Sequence, residues 1–219
     1  MRGVLYTMRL LRIIWVLLRW DAVFLVPSPA LLWLGKRLRK KAATPLRPGE
    51  RLSEALQALG ASFIKLGQVL ATRADLLGEA VARDLTTLQD RLPPFPTKKA
   101  IQTIETELGK PLSALFSEFD PKPVAAASIA QVHKATTLDG ETVAVKVVRP
   151  GVRQQFARDL RLFAWIARQL ESTSPLARRL KLVQMVAAVR QTLEMETNLR
   201  YEAAAADELR ENCEPFGEL

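Results

Sequence analysis

One β-hairpin signal interrupts a chain whose other segments are patterned as helices. Asp139-Gly140 is a dipeptide that favours tight hairpin turns, and the alternating residues 141–148 predict a strand directly after it. The small residues at 124–136 are compatible with the partner strand, and Pro150 ends the second strand. The sequence therefore predicts an α+β fold that is mostly α, with a small antiparallel β-hairpin or sheet between two helical regions.

The helical regions show apolar residues at three- and four-residue steps. Thr97 is placed as an N-cap and Gly109 as a C-terminal stop, which bounds one helix at both ends. Two or three helices are expected after the hairpin. The predicted helical segments are 51–70, 78–91, 97–108, 111–116 and 151–211.

The formal net charge of +9 belongs to the N-terminal part of the 219-residue chain. The first 49 residues contain ten Lys or Arg and one acidic residue, Asp21, so the remaining 170 residues are neutral. A single Cys and a single His exclude an intramolecular disulfide framework and a zinc site built from several Cys and His. We therefore predict a basic arm at 1–41, a linker at 42–50 and a neutral remainder.

The arm is apolar from residue 4 to residue 34, but charges and prolines interrupt it. A spanning helix needs about 20 consecutive apolar residues, so no transmembrane helix is predicted, and the same interruptions exclude a cleavable signal peptide. On a helix, four arginines fall on one arc and aliphatic residues fill the rest, which is typical of a helix lying in a membrane interface. These arginines are Arg2, Arg9, Arg12 and Arg19.

Further features of the arm favour an anionic membrane surface as its partner. Trp15, Trp20 and Trp33 suit the headgroup boundary, and the basic run 36–41 adds attraction to anionic lipid. The arm could instead pack its apolar face on the protein while its arginines face water. Nucleic acid is the least favoured partner, because bulky aliphatic residues rather than stacking aromatics separate the basic residues.

Candidate chemistry begins in the second strand of the hairpin, which contains Val143-Ala144-Val145-Lys146. A lysine in an apolar strand is costly unless it has a charged partner. Protein-kinase folds place such a lysine against nucleotide phosphates and pair it with a helix glutamate. A lysine that simply faces solvent is the alternative.

Before the hairpin lies a run of small residues, Ala125, Ala126, Ala127 and Ser128. Small side chains let a backbone approach phosphates closely, although alanine runs also reflect plain helix propensity.

Several motifs occur in a fixed order along the chain. Lys65-Leu66-Gly67-Gln68 has the form K-x-G-Q, and it is followed by L-Q-D-R at 88–91, S-I-A-Q-V-H at 128–133, V-A-V-K at 143–146 and E-T-N at 196–198. With these motifs, residues from about 50 to 212 resemble the UbiB atypical kinase family, also called ABC1 or ADCK. The resemblance implies a partial N-terminal lobe of a protein-kinase-like fold at 121–219, preceded by a helical K-x-G-Q extension at 51–120.

The resemblance also implies roles for individual residues. Lys146 is similar to the nucleotide-contacting lysine of the family, and Ala125, Ala126, Ala127 and Ser128 are similar to its alanine-rich nucleotide loop. Lys65, Gly67 and Gln68 are similar to the family element that folds over the active-site cleft.

Glu196 and Glu202 resemble two helix glutamates of the family, of which one pairs with the strand lysine and the other faces the K-x-G-Q element. The residues alone do not assign which does which. Asn198 stands where the family pattern E-x-D has Asp, which removes a charge there. The alternatives are a surface lysine at 65, a packing notch at Gly67 and a solvated Glu202.

For function, the resemblance implies ATP and Mg²⁺ as cofactors and a kinase or ATPase activity supporting ubiquinone biosynthesis. Its partners would be ubiquinone precursors or other proteins of that biosynthesis, at the cytoplasmic face of a bacterial inner membrane. The 219 residues contain no H-R-D-like or D-F-G-like motif, so we expect a chain truncated before the catalytic lobe, with no catalytic residue or metal ligand of its own. The alternatives are a non-catalytic, membrane-peripheral module that binds lipid or a partner, and a nucleic-acid-binding protein.

Overall fold

The computed structural model describes residues 2–24, 29–39, 45–88 and 92–213. Eleven helices and four strands form in these ranges, and their order agrees with the predicted mostly α fold with a small antiparallel sheet. The elements are α1 (Arg2–Arg19), α2 (Pro29–Leu38), α3 (Pro48–Leu59), α4 (Ala61–Ala71), α5 (Ala74–Leu77), α6 (Glu79–Thr86), α7 (Thr97–Leu108), β1 (Phe116–Phe119), β2 (Ala125–Ala126), β3 (Ala130–Thr137), β4 (Thr142–Val148), α8 (Val152–Thr173), α9 (Pro175–Leu180), α10 (Leu182–Thr197) and α11 (Leu199–Cys213).

The sheet is built around β3, which pairs with β4 along one edge and with β1 and β2 along the other. The predicted hairpin between β3 and β4 is confirmed, and Val132 pairs with Lys146 in its register. The connection spans three residues, 138–140, rather than the predicted two, because Thr137 N–H still donates to the Glu141 carbonyl. Gly140 has a φ of 89°, a left-handed conformation that favours glycine in such turns.

The sequence pattern missed β1 and placed a short helix at 111–116. Only a 3₁₀ turn at Leu112–Ala114 forms there, and Phe116 then enters the sheet. Phe116 and Phe119 pack against a small core under the sheet that contains Phe95, Ala100, Ile104 and Val147. Tertiary burial of these aromatic rings therefore outweighs the weak local helical preference.

Glycine breaks the helix predicted over 51–70 into α3 and α4. Gly60 has a φ of 101°, which a continuing α-helix cannot accommodate. α3 also begins inside the predicted linker, at Pro48, where proline is favoured at a first helical position. The backbone N–H of Arg47 donates to the Glu50 carboxylate at 2.7 Å and caps this start. Residues 42–44 of the predicted linker lie outside the described residues.

The other helix boundaries need smaller corrections. The helix predicted over 78–91 ends at Thr86, and residues 89–91 lie outside the described ranges. Thr97 is the first residue of α7 rather than its N-cap, and its hydroxyl donates to the Pro121 carbonyl at 2.7 Å. The predicted stop is confirmed, because Gly109 ends α7 in the left-handed conformation.

The main hydrophobic core joins the N-terminal helix to the helices on both sides of the sheet. Ile13 and Val16 of α1 are buried in it with residues of α3, α4, α8 and α10. Phe63 and Phe163 meet edge to face, with ring centroids 4.9 Å apart. Among the described helices, none is both long and apolar enough to cross a bilayer.

Arg9 departs from the arrangement expected for the arm, in which the arginines share one outward arc. Its guanidinium donates to both carboxylate oxygens of Asp159, at 2.9 and 2.8 Å, and lies 5.4 Å from the centre of the Phe63 ring. Arg12 and Arg19 are exposed. The arginines of the arc therefore have different environments, because the buried Asp159 carboxylate on α8 pairs with Arg9 alone among those described.

Candidate functional site

Lys146 lies on β4 and forms an ion pair with Glu202 in the first turn of α11. Its ammonium nitrogen is 2.7 and 2.6 Å from the two carboxylate oxygens. Because side chains alternate along a strand, Lys146 shares a face of the sheet with Ala144 and with its register partner Val132. This face is the open one, since Val145 and Val147 point into or towards the small core. The pair thus stands beside small apolar side chains on an accessible surface.

The alanine-rich segment forms the tight turn that leads into the central strand. Ala125 and Ala126 make up β2, and Ala127 N–H donates to the Ala130 carbonyl at 2.8 Å. Alanine side chains leave the backbone of this turn approachable. Ser128 is fully buried, and its hydroxyl has no hydrogen-bond partner in the part of the chain that the structure describes.

Arg149, which the sequence motifs did not single out, holds this turn in place. Its guanidinium donates to the Ala127 carbonyl at 3.2 Å and to the Pro93 carbonyl at 3.0 Å, and it lies 5.2 Å from the centre of the Phe95 ring. Its backbone N–H donates to the Ile129 carbonyl at 2.7 Å. Burial lowers the pKa of this guanidinium, which nevertheless stays charged. The only sequence signal is an arginine directly after a predicted strand.

Lys65 of α4 forms a second lysine–glutamate pair, with Glu196 near the end of α10. The ammonium nitrogen and the nearer carboxylate oxygen are 2.7 Å apart, and only 8% of the Lys65 side chain is exposed. The interpretation of Lys65 as a surface lysine is therefore wrong. The pair joins the helix carrying K-x-G-Q to the helical segment after the sheet.

Gly67 has the packing role that was raised as an alternative. A Cβ atom at this position would lie 2.7 Å from Leu56 Cδ1 and 3.0 Å from Leu88 Cδ2. Glycine therefore lets α4 approach these two leucines closely. Gln68, the last residue of the motif, is half-buried on the same helix.

The two glutamates lie on different helices, separated at Asn198. Asn198 ends α10, and its side-chain oxygen accepts from the Arg200 N–H at 3.3 Å at the start of α11. An amide serves this turn as well as a carboxylate does, because both offer an oxygen acceptor. The break directs Glu196 to Lys65 and Glu202 to Lys146, which resolves the assignment that the residues alone left open.

His133 is a structural residue of the sheet. It is fully buried and stacked on Phe119, with ring centroids 4.8 Å apart. Its Nδ1 lies 2.8 Å from the Asp120 carbonyl, and its Nε2 lies 2.8 Å from the Gln131 amide nitrogen. These partners fit the neutral tautomer that donates from Nδ1 and accepts at Nε2.

The residues brought together fit a nucleotide better than a metal ion. The alanine turn, Lys146 and the small residues beside it offer a backbone surface, a cation and an apolar floor, which are the groups that phosphates and a flat base need. Among the described residues, no group of three or more His, Cys, Asp or Glu side chains could hold a metal ion.

A family model and a solved structure resemble parts of the chain. The sequence profile of the ABC1 atypical kinase-like domain matches residues 87–219, which include both glutamates, the alanine turn and Lys146. A Mycobacterium tuberculosis protein solved in complex with erythromycin aligns with a TM-score of 0.45 and 34% sequence identity, over 68% of this chain and 38% of that one.

Several curated relatives carry the name UbiB. The "Probable protein kinase UbiB" of Pseudomonas fluorescens strain Pf-5 is 44% identical over 217 residues, and that of Marinobacter nauticus is 43% identical over 212 residues. The protein of the same name from Aliivibrio fischeri is 44% identical over 218 residues. These matches cover 94 to 96% of this chain, which spans about 40% of the length of the relatives. The chain belongs to the ABC1 atypical kinase-like family, with UbiB proteins among its relatives.

Proposed function

We propose that this chain forms the nucleotide-binding side of a UbiB-like kinase or ATPase that supports ubiquinone biosynthesis. The observation that carries the proposal is the Lys146–Glu202 ion pair on the open face of the sheet. Ala125 and Lys146 both pair with Val132 of β3, so the alanine turn and the lysine lie on the two strands that flank β3, where the ammonium would meet the phosphates of ATP. Mg²⁺, which such enzymes use to neutralise phosphate charge, would be supplied with the nucleotide.

The arrangement gives this chain two tasks, binding and orientation. Lys146 offers a positive charge to phosphate oxygens, and its ion pair with Glu202 fixes the direction of the lysine side chain. Arg149 keeps the alanine turn against the segment that carries Pro93.

Replacing Lys146 by Met tests the nucleotide site. We expect the affinity for a fluorescent ATP analogue to fall at least tenfold, because the ammonium charge facing the phosphates is lost while the strand keeps an unbranched side chain of similar length. Equilibrium titration of the 219-residue chain with Mg²⁺ present measures this change.

The matched control is Lys99→Met, at an exposed position of α7 on the opposite face of the sheet, which should bind the analogue like the unchanged chain. Equal affinities of the Lys146→Met variant and the unchanged chain, with both folded by circular dichroism, would contradict the proposed site.

We further propose that α1 and α2 dock the protein on an anionic membrane, at the cytoplasmic face of a bacterial inner membrane. The support is an apolar surface that α1 and α2 leave exposed although both pack on the protein. Leu11 and Trp15 are each 60% exposed. The membrane-facing surface, as we call it, consists of Met8, Leu11, Trp15, Trp33 and Leu38.

Basic side chains accompany the membrane-facing surface. Arg12 and Arg19 are exposed on α1, and the Arg37 guanidinium lies 5.3 Å from the centre of the Trp33 ring on α2. Exposed apolar groups with adjacent cations are the two components that bind an interfacial helix to anionic lipid. Asp21, the one acidic residue of this region, is buried and does not oppose the attraction.

Vesicle flotation tests the membrane-facing surface. A Leu11→Ser/Trp15→Ser double variant should lose most of its binding to vesicles rich in phosphatidylglycerol, because burial of both side chains in the interface supplies several kilocalories per mole, roughly 1.5 to 3 for each large apolar side chain.

The matched control is Leu108→Ser/Leu138→Ser, which changes two equally exposed residues elsewhere and should float like the unchanged chain. Undiminished flotation of the α1 variant would overturn the proposal.

A further inference from the structure

A buried side chain beneath the sheet pairs with a backbone segment as a neighbouring strand would. Gln131 of β3 is 1% exposed. The Phe95 N–H donates to the Gln131 Oε1 at 3.0 Å, and the Gln131 Nε2 donates to the Phe95 carbonyl at 3.3 Å. Directly opposed residues of antiparallel strands exchange the same pair of bonds. One side chain therefore fixes both backbone polar groups of a residue that lies between α6 and α7.

A third hydrogen bond fixes the orientation of the Gln131 amide. Its Nε2 lies 2.8 Å from the Nε2 of His133, which accepts this bond in the tautomer that donates from Nδ1 to the Asp120 carbonyl. Both side chains are buried. A flipped amide would leave buried donors and acceptors unpaired, which is costly away from water, so the amide has one stable orientation.

Phe95, the residue that Gln131 holds, lies against the guanidinium of Arg149. The guanidinium is 5.2 Å from the centre of the Phe95 ring and donates to the carbonyls of Pro93 and Ala127. Among the residues that the structure describes, Arg149 has no carboxylate partner. The position of this guanidinium therefore depends on the Phe95 ring and on the two carbonyl groups.

We propose that Gln131 is a positioning residue for the alanine turn at the nucleotide site, acting through Phe95 and Arg149. The Gln131 amide fixes the Phe95 backbone, the Phe95 ring supports the guanidinium, and the guanidinium holds the Ala127 carbonyl. Gln131 pairs with Val147 and therefore lies on the face of the sheet opposite to Lys146. It would act on a bound nucleotide only through the turn, and this consequence rests on the proposed function.

The variant Gln131→Met tests the proposal, because methionine keeps the length and volume of the side chain but pairs with neither backbone group of Phe95. The Ala127 amide donates to the Ala130 carbonyl at 2.8 Å within the turn, so its hydrogen exchange reports on the turn without any ligand. We expect this exchange to become at least tenfold faster relative to the amides of α10. The affinity for the fluorescent ATP analogue, with Mg²⁺ present, should fall at least fivefold.

Two controls separate positioning from loss of stability. Leu52→Ala shortens a buried side chain of α3 in the main core, so it destabilises the protein away from the turn. Gln102→Met makes the same substitution at an exposed position of α7. Both controls should keep the relative exchange of the Ala127 amide and the nucleotide affinity, measured under conditions where each variant is fully folded.

A double variant tests whether Gln131 acts through Arg149. Arg149→Met removes the donors to the Ala127 and Pro93 carbonyls and should reproduce both effects of Gln131→Met. Gln131→Met/Arg149→Met should bind the nucleotide no more weakly than the more affected single variant, because two residues on one path give effects that do not add.

Unchanged exchange of the Ala127 amide in Gln131→Met would overturn the proposal, and so would an equal change in Leu52→Ala. Additive losses in the double variant would contradict it as well, since they would place the two residues on separate paths. An affinity retained in Gln131→Met but lost in Lys146→Met would exclude a role of Gln131 at the nucleotide site. Faster exchange in Gln131→Met, with the affinity unchanged both there and in Lys146→Met, would instead contradict the proposed nucleotide site and support the role of Gln131 in the turn.

Discussion

The Asp159→Asn variant is expected to lose about 3 kcal/mol of its free energy of unfolding. Asp159 is 3% exposed at its side chain and accepts two hydrogen bonds from Arg9 and one, at 2.7 Å, from the Ser62 hydroxyl. Breaking a buried ion pair by removing one partner typically costs about 3 to 5 kcal/mol, and the 21% exposure of Arg9 places this case at the lower end. Urea unfolding followed by circular dichroism measures the change.

A double variant makes this prediction sharper. Replacing both partners with apolar side chains, Arg9→Met/Asp159→Leu, leaves neither charge buried and should be more stable than Asp159→Asn alone. The matched control is Asp207→Asn on α11, where the aspartate is exposed and the expected change is within about 0.5 kcal/mol. A double variant less stable than Asp159→Asn would show that the pair stabilises the fold through more than charge compensation.

The hydrogen bonds between Arg9, Ser62 and Asp159 connect three helices, so their loss should affect more than the overall stability. Arg9 belongs to α1, Ser62 to the first turn of α4 and Asp159 to α8, so one carboxylate joins the N-terminal helix to the helix that carries Lys65 and to the segment after the sheet. Hydrogen exchange in Asp159→Asn should therefore increase first in α1. Under the proposed function, the helix facing the membrane and the helix facing the cleft are held by the same residue.

Much of the fold follows from local sequence signals. Asp139-Gly140 predicted the hairpin because a left-handed glycine is a local requirement of the turn, and Gly109 ended α7 for the same reason. β1 could not be predicted from local signals, because Phe116 and Phe119 adopt a strand only when they pack against the core that forms under the sheet. The break at Gly60 was only partly predictable, because many helices tolerate a glycine in their interior.

The motif residues of the candidate site were predictable from the sequence, whereas their pairings and the role of Arg149 were not. Lys65, Lys146, Glu196 and Glu202 stand out by motif, but nothing local states which glutamate meets which lysine, because the partners are separated by 56 residues or more and meet only through packing. Arg9 illustrates the same limit. Its helical periodicity placed it with exposed arginines, and a carboxylate 150 residues away turned it inward.

Loss of each lysine–glutamate pair should change the free energy of unfolding by a different amount, although the shortest nitrogen–oxygen distances of the two pairs are nearly equal. Lys65 is 8% exposed and Lys146 is 37% exposed at the side chain. Glu196→Gln removes a carboxylate that pairs with a buried ammonium and should cost about 2 kcal/mol of unfolding free energy, less than for a fully buried pair because Glu196 is 31% exposed. Glu202→Gln breaks a solvated pair and should cost less than about 1 kcal/mol.

Nucleotide affinity should give the opposite order. Glu202→Gln releases Lys146 from its fixed position and should weaken binding of the fluorescent ATP analogue several-fold, whereas Glu196→Gln should weaken it less, provided the titration is made under conditions where each variant is fully folded. Glu194→Gln, exposed on α10 two residues before Glu196, controls for the loss of a negative charge and should change neither quantity. Equal stability losses for Glu196→Gln and Glu202→Gln would mean that burial does not separate the pairs. A larger affinity loss in Glu196→Gln would place the nucleotide nearer to Lys65 than to Lys146.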